Sequence, residues 1–374
     1  MRDKVTSKNL KILIVCPSQT FASVDQKAIT DALYLRDIGG NPTLYCLKDS
    51  FIEREAENLS LTRILFRGVK SKRLLNISYF LDIRKVLKED KWDVVHCYHR
   101  SSLWALCIWL FYKSETALFF SFNEFFKRNI PLFWAPFLLR RVDAVFTFGE
   151  TVSKKFHQHF QYPIRKIINS GSGIEFGIPS NVKLDNLCIG AFLNDESEMD
   201  NFRTLLFSLS GIKESLDETE IKVIINTFKP IKDFYLYSEI KKYSDSLGLT
   251  DSIEYIEGSS DRFYKSINLF VSFSFHEPVN CQEIKALAIG LNVVAPRTAF
   301  RAEMTDRLNI KSLKTYYFQD ARAFKEAVLT LLGNNLGEPV VFEQNQELET
   351  YVDIIHSQYE IAFEARGRLG ALKT

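Results

Sequence analysis

Short apolar runs and longer amphipathic stretches alternate along the chain from its tenth residue. Residues 10–16 form a β-branched run that stops at Pro17, and a polar loop then leads into a helical pattern ending at Gly39-Gly40. Glycine takes the left-handed conformation that closes a helix at low cost. The next strand is predicted at 43–47, so the chain opens as β-α-β with a parallel sheet in prospect. Further strands are predicted at 61–66, 94–97, 117–121, 144–148 and 164–168, with helices at 77–88, 101–111 and 151–160. These strands are apolar on both faces, as expected where helices cover both sides of a parallel sheet.

Residues 170–185 break the pattern with Gly, Pro and Ser and read as a connection. A second alternating series follows. It has strands at 187–190, 221–225, 253–256, 269–272, 293–295 and 316–318, and helices near 200–216, 233–247, 281–289 and 320–332. The tail, 342–366, is a polar helical pattern in which Leu348, Tyr351, Val352, Ile355 and Tyr359 recur at spacings of three and four. That spacing puts one face against protein. The expected divisions are a first domain at 1–170, a connection at 171–185, a second domain at 186–341 and a terminal helix at 342–374. The fold class is α/β, with two Rossmann-like doubly wound parallel-sheet domains facing a cleft and a C-terminal helix able to pack back on the first domain.

Composition narrows the function. With 48 basic and 46 acidic residues the net charge is +2, which argues against a nucleic-acid binder. The length of 374 residues exceeds what one core normally serves. Six cysteines occur singly, without C-x-x-C spacing, so a reduced, cytoplasmic compartment is expected and neither a disulfide scaffold nor a structural zinc site is. The N-terminus has no apolar stretch before the first strand, and the longest apolar run, 103–112, is about half the ~20 residues that span a bilayer. Phenylalanine occurs 31 times, with a cluster at 119–137.

In open parallel sheets ligands bind beyond the carboxyl ends of the strands. The first strand is followed by Cys16-Pro-Ser-Gln-Thr-Phe-Ala, which is neither a dinucleotide fingerprint nor a Walker A loop. The most informative stretch runs from Leu269 to Pro296. In it a strand ends at Ser272, a loop delivers Glu277, a helix opens around Cys281, and Gly290 precedes the next strand. Amides at a helix start attract an anion, and Glu277 beside them could accept hydrogen bonds from sugar hydroxyls.

This stretch resembles the signature of the retaining GT4 glycosyltransferases of the GT-B fold, Ser-x-x-Glu-Gly-Phe-Gly, four residues, then Glu-Ala-x-Ala-x-Gly-x-Pro-Val-Val. Ser274 and Glu277 match its opening, and Ala286, Ala288, Gly290, Val293 and Val294 its close. Trp92 to His99 is similar to the family's Asp-Val-Ile-His-x-His segment, Arg141 to Ser153 to its Ala-Asp-x-Val-x-x-x-Ser element, and Ile167 to Glu175 to its turn into the second domain. The resemblance implies that Glu277 contacts the donor sugar. Several positions depart from the pattern. Lys285 stands where the family's second glutamate holds the ribose, and Glu283 falls two positions early. Gly190 to Glu198 lacks the basic pair that clamps the donor diphosphate, Phe122-Asn123 replaces a histidine, and Pro278 and Asn280 replace two glycines.

The expected catalytic residues are Glu277 and His99, and the expected nucleotide-sugar contacts are Ser18, Gly190, Lys229, Arg262, Cys281 and Lys285. His96, nearer the strand interior, reads as a core histidine. No metal and no cofactor are expected. Lys127, Arg128 and Trp134 are candidates for acceptor or membrane contact. The aromatic and cationic stretch 119–141, which includes Arg140 and Arg141, fits a peripheral membrane contact on the inner face of the plasma membrane, a protein interface, or plain core. The resemblance implies transfer of a sugar from a UDP- or GDP-type nucleotide sugar to a saccharide or lipid-linked acceptor, with retention, in bacterial-type surface glycan synthesis. The alternative is a degenerate glycosyltransferase-like subunit supporting a protein partner.

Overall fold

The computed structural model describes residues 10–18, 23–66, 77–111, 115–122, 135–147, 150–169, 186–193, 198–216, 220–227, 236–257, 260–274, 281–298, 301–302, 305, 310–333, 354–355, 357–362 and 365. They form two compact units, one from Met1–Ile174 with Asn345–Thr374 and one from Glu175–Gln344.

The first unit runs β1 (Lys11–Val15), α1 (Ser23–Asp37), β2 (Asn41–Leu47), α2 (Phe51–Asn58), β3 (Thr62–Phe66), α3 (Ile77–Glu89) and β4 (Val94–Cys97). It continues with α4 (Arg100–Leu110), β5 (Ala117–Phe122), α5 (Ala135–Leu139), β6 (Ala144–Thr147), α6 (Glu150–Phe160) and β7 (Ile167–Asn169). Its sheet has the order β3-β2-β1-β4-β5-β6-β7, every pair parallel. Order reverses between β1 and β4, the switch point beyond which such sheets take ligands.

The second unit runs β8 (Leu187–Phe192), α7 (Met199–Ser215), β9 (Ile221–Thr227), α8 (Tyr237–Ser246), β10 (Ile253–Glu257), α9 (Ser260–Lys265) and β11 (Leu269–Val271). It ends with α10 (Cys281–Ala288), β12 (Asn292–Pro296), β13 (Leu313–Tyr316) and α11 (Ala321–Gly333). Its parallel sheet has the order β10-β9-β8-β11-β12-β13, with the switch between β8 and β11.

Glycine ends two helices as the sequence demands, Gly39 at φ 87° and Gly290 at φ 90°. Elsewhere the pattern needs correction. The apolar run at 164–168 begins as a 3-10 turn after Pro163, and the strand starts only at Ile167. The last strand lies at Leu313–Tyr316, three residues before its expected position, which leaves Tyr317 and Phe318 exposed beyond its carboxyl end. Helix α2, masked in the sequence by its charged residues, is capped by Ser50, whose hydroxyl accepts from Glu53 N.

The C-terminal segment, helical at 354–355 and 357–362, returns to the first unit. Ile355 and Tyr359 join the core formed by Leu10, Ile12 and Ile14 of the first strand region and Ala28 and Ala32 of α1. The spacing of four between them is the stripe read from the sequence.

The phenylalanine cluster is not one surface. Phe119, Phe120 and Phe122 are buried on both faces of β5, because that strand lies between β4 and β6. Arg141 also points inward, its guanidinium donating to Leu110 O at 2.6 Å and to Thr116 O. Pro136, Phe137 and Arg140 are the exposed residues of this stretch among those described.

Candidate functional site

At the switch point of the first sheet, Cys16 follows β1, His99 follows β4, and Asp25 comes from the first turn of α1. His99 Nε2 lies 2.9 Å from Asp25 Oδ1, and the Cys16 thiol donates to the same oxygen at 3.2 Å. A carboxylate only accepts, so Nε2 carries the proton of His99. Asp25 is fully buried while the His99 side chain is 15% exposed, so a buried acid orients a histidine that reaches solvent. The three ligand atoms all lie within 4.8 Å of one another, which also makes them the group among the described residues able to hold a metal ion. Ser18 lies buried at the same strand end, its N–H donating to Cys16 O. Sequence reasoning reached His99 and Ser18 but not Asp25, which carries no motif.

Directly beneath is a buried polar network. His96 Nε2 meets Ser121 Oγ at 2.9 Å, and its Nδ1 meets the hydroxyl of Tyr359. Tyr98 donates to Asp31 Oδ2, and Lys27 Nζ lies 3.9 Å from Asp31 Oδ1. Burial, helped by the Lys27 charge, pushes the His96 pKa well below its ordinary value, so the imidazole is neutral. The core reading of His96 holds.

In the second unit Gly190 does not lie at a strand-end loop. It sits inside β8 between Ile224 and Phe270, and a Cβ there would come within 2.5 Å of Ile267 and 2.8 Å of Phe263. Packing against α9 and the residues after it requires this glycine. Lys285, on α10, holds its ammonium 5.4 Å from the ring centre of Tyr264, and Arg262 is exposed on α9. Cys281 is the first residue of α10.

Glu283, two positions early in the signature, does not stand free for a ribose. Its carboxylate is gripped on both oxygens by the buried Arg301, through Nε at 2.9 Å and through Nη2. Arg301 also donates to Ser274 O and Pro296 O, each at 2.9 Å, and so joins the ends of three segments. A bidentate pair of this kind is strong and directional. Arg297, which the sequence reading did not single out, is an exposed cation at the carboxyl end of β12, donating to the Tyr317 hydroxyl at 3.0 Å.

One polar side chain at this edge is left over. Asn226, at the carboxyl end of β9 and 1% exposed, has no hydrogen-bond partner at either side-chain atom in the described structure. It pairs in register with Phe192 and Ile256, whose side chains belong to the core on the α9 and α10 side of the sheet. Burying an amide without partners costs several kcal/mol in an apolar medium and ~1–3 kcal/mol by protein mutational measures. Among the buried amides, Asn201 and Asn292 each leave only Oδ1 unpartnered, and two lone hydroxyls, Ser312 Oγ and that of Tyr316, also have no partner; Asn226 is the described asparagine with both atoms open. Glu277, Lys229, Lys127, Arg128 and Trp134 lie outside the described residues.

With this geometry in hand, comparison with known proteins defines the fold. Residues 32–169 match the model of Glycosyltransferase Family 4, inside the first unit. A comparison with curated proteins finds no match. Among solved structures, a glycosyltransferase from Rickettsia africae is 15% identical, with a TM-score of 0.70 over 95% of this chain and 98% of that one. Anabaena HepE, solved with UDP and glucose, is 14% identical, with a TM-score of 0.66 over 97% and 99%. The pneumococcal O-GlcNAc transferase GtfA, solved with UDP and GlcNAc, is 10% identical, with a TM-score of 0.70 over 96% and 99%. The chain therefore has the GT-B fold, two parallel-sheet α/β domains, along nearly its whole length.

Proposed function

We propose that this protein is a retaining glycosyltransferase that moves a sugar from a nucleotide-sugar donor, of UDP or GDP type, to a hydroxyl of a saccharide or lipid-linked acceptor. The fold supports the class, and the observation that carries the donor site is Asn226. A buried amide with neither atom paired, at the carboxyl edge of the second sheet, has the chemistry of a ligand contact awaiting its ligand. Glu277 would accept hydrogen bonds from the donor sugar. Cationic help for the diphosphate would come from Lys285, Arg262, Lys229 and Arg297. In a front-face transfer the bond from the anomeric carbon to the phosphate oxygen breaks as the acceptor oxygen bonds on the same face. The leaving phosphate takes the acceptor proton, so the protein's task is to stabilise the departing diphosphate and orient both sugars. His99, held by Asp25, would orient the acceptor. The setting would be surface glycan synthesis at the inner face of a plasma membrane.

A second reading, a subunit that supports a partner without transferring sugar, is favoured by one observation: Arg301 occupies the carboxylate nearest the family's ribose position. Calorimetry with UDP, GDP, ADP, CMP and TDP, each alone and as sugar conjugates, separates the two. Saturable binding that Glu277→Ala weakens for the sugar conjugate and Asn226→Leu weakens for the nucleotide is the expected result. A folded protein that binds none of the panel would leave the supporting-subunit reading.

A further inference from the structure

The outward face of α3, α4 and α5 is apolar where a surface helix is normally polar. Ile77 is 74% exposed, Leu81 51%, Ile108 43%, Phe111 38% and Phe137 52%. These five stand on three neighbouring helices. Ile77 and Leu81 lie one turn apart on α3, and Ile108 and Phe111 one turn apart at the end of α4. The rings of Phe111 and Phe137 pack at 5.3 Å, and those of Phe80 and Trp109 join α3 to α4 at 4.6 Å. The core does not account for these side chains, since α4 already buries Leu103 to Cys107 and Leu110 inward. Helix α6 of the same unit, by contrast, shows solvent Lys154, Lys155 and Gln158.

The charges on this face are mostly positive. Arg84, Lys85, Lys88 and Arg140 are all exposed. Arg84 is exposed and holds its guanidinium carbon 4.5 Å from the centre of the Trp109 ring. Of the acids nearby, Asp82 is half-buried and accepts from the Tyr45 hydroxyl, Glu89 lies 3.5 Å from Lys85, and Glu115 follows α4. Arg84, Lys88 and Arg140 have no acidic partner among the described residues. A two-fold contact with a second copy would set this face against itself and bring those cations together. An anionic lipid surface satisfies both features, taking the apolar side chains into its interface and the cations among its headgroups.

We propose that the α3–α4–α5 face seats the protein on anionic lipid, with Leu81, Phe111 and Phe137 entering the interface and Arg84, Lys88 and Arg140 among the phosphates. This surface takes in Phe137 and Arg140 from the end of the stretch expected from sequence but not its phenylalanines at 119, 120 and 122, which are core, and it adds α3 and α4; its binding requires no nucleotide sugar. The test is co-sedimentation of the full chain with vesicles of phosphatidylcholine alone or with one part in four phosphatidylglycerol. Binding should require phosphatidylglycerol and fall steeply in 0.5 M salt. It should weaken at least tenfold in Leu81→Glu and in Phe137→Glu, but not in Phe207→Glu, which alters an exposed phenylalanine of the second unit. Circular dichroism of each variant checks its fold. Absence of binding to the anionic vesicles, equal binding by all three variants, or a solution dimer that Phe137→Glu dissociates would overturn the proposal. Nucleotide calorimetry on the same variants reads the transferase proposal separately.

Discussion

The two sheets treat buried polar groups at their carboxyl edges in opposite ways. In the first unit, Asp25 accepts from Cys16 and His99, while His96, Tyr98, Asp31, Lys27, Ser121 and Tyr359 satisfy one another. In the second, Arg301 and Glu283 are closed on each other, yet Asn226, at the carboxyl end of β9, has no partner at either side-chain atom. A closed network fixes conformation, and it is strongly destabilised when one member is lost. An open amide lowers stability and has a reason to persist only where something outside the chain completes it. The first edge holds its own shape and orients His99; in the function proposed above, the second is the edge that would bind.

The largest test of this contrast is Asp31→Ala. It removes the carboxylate that faces the buried Lys27 and accepts from Tyr98, and a loss of about 3–5 kcal/mol is expected from breaking a buried pair by removing one partner. Urea denaturation followed by far-UV circular dichroism measures it, and a loss under 1 kcal/mol would mean the network is not closed. Next comes Gly190→Ala. The added methyl meets Ile267 and Phe263 in a packed core, and overpacking of this kind costs about 1–3 kcal/mol. A neutral result, with weakened nucleotide binding, would return Gly190 to the ligand role expected from sequence.

Asn226→Leu should act in the other direction. Replacing an unpartnered buried amide with an apolar side chain of similar volume removes a desolvation penalty of about 1–2 kcal/mol. The variant should melt higher and bind nucleotide more weakly. A lower melting temperature would show that the amide serves the fold.

Much of this architecture is legible in the sequence, because parallel strands buried on both faces are short continuous apolar runs and their covering helices keep a regular stripe. The stripe of Ile355 and Tyr359 even announces that the tail packs on protein. The sites are less legible, for physical reasons. Asp25 lies 74 residues from His99 and Arg301 lies 18 from Glu283, so no local spacing connects them. The phenylalanines at 119–122 look like part of a surface patch until the strand order makes β5 an inner strand. Gly190 at the head of the second domain resembles a ligand-loop glycine, and only the position of Ile267 shows that it is filled from behind.

The smallest effect singles out His96. Its pKa is depressed by burial, so the folded protein keeps the ring neutral while the unfolded chain titrates near ~6.5. Above that pH neither state binds the proton and the network contributes its full stability. As pH falls below it, the unfolded state gains a proton that the folded state excludes, and stability drops by about 1.4 kcal/mol per pH unit until the folded pKa is reached. His96→Gln keeps one donor and one acceptor but cannot titrate. It should be less stable than the parent at pH 7.5 and lose stability less steeply between pH 6.5 and 5, so the two curves converge as acid is added. Parallel curves would mean that the folded protein protonates His96, with both ring nitrogens donating and the Tyr359 and Ser121 hydroxyls accepting. The first edge would then be open too, and the contrast between the sheets would fail at its most buried point.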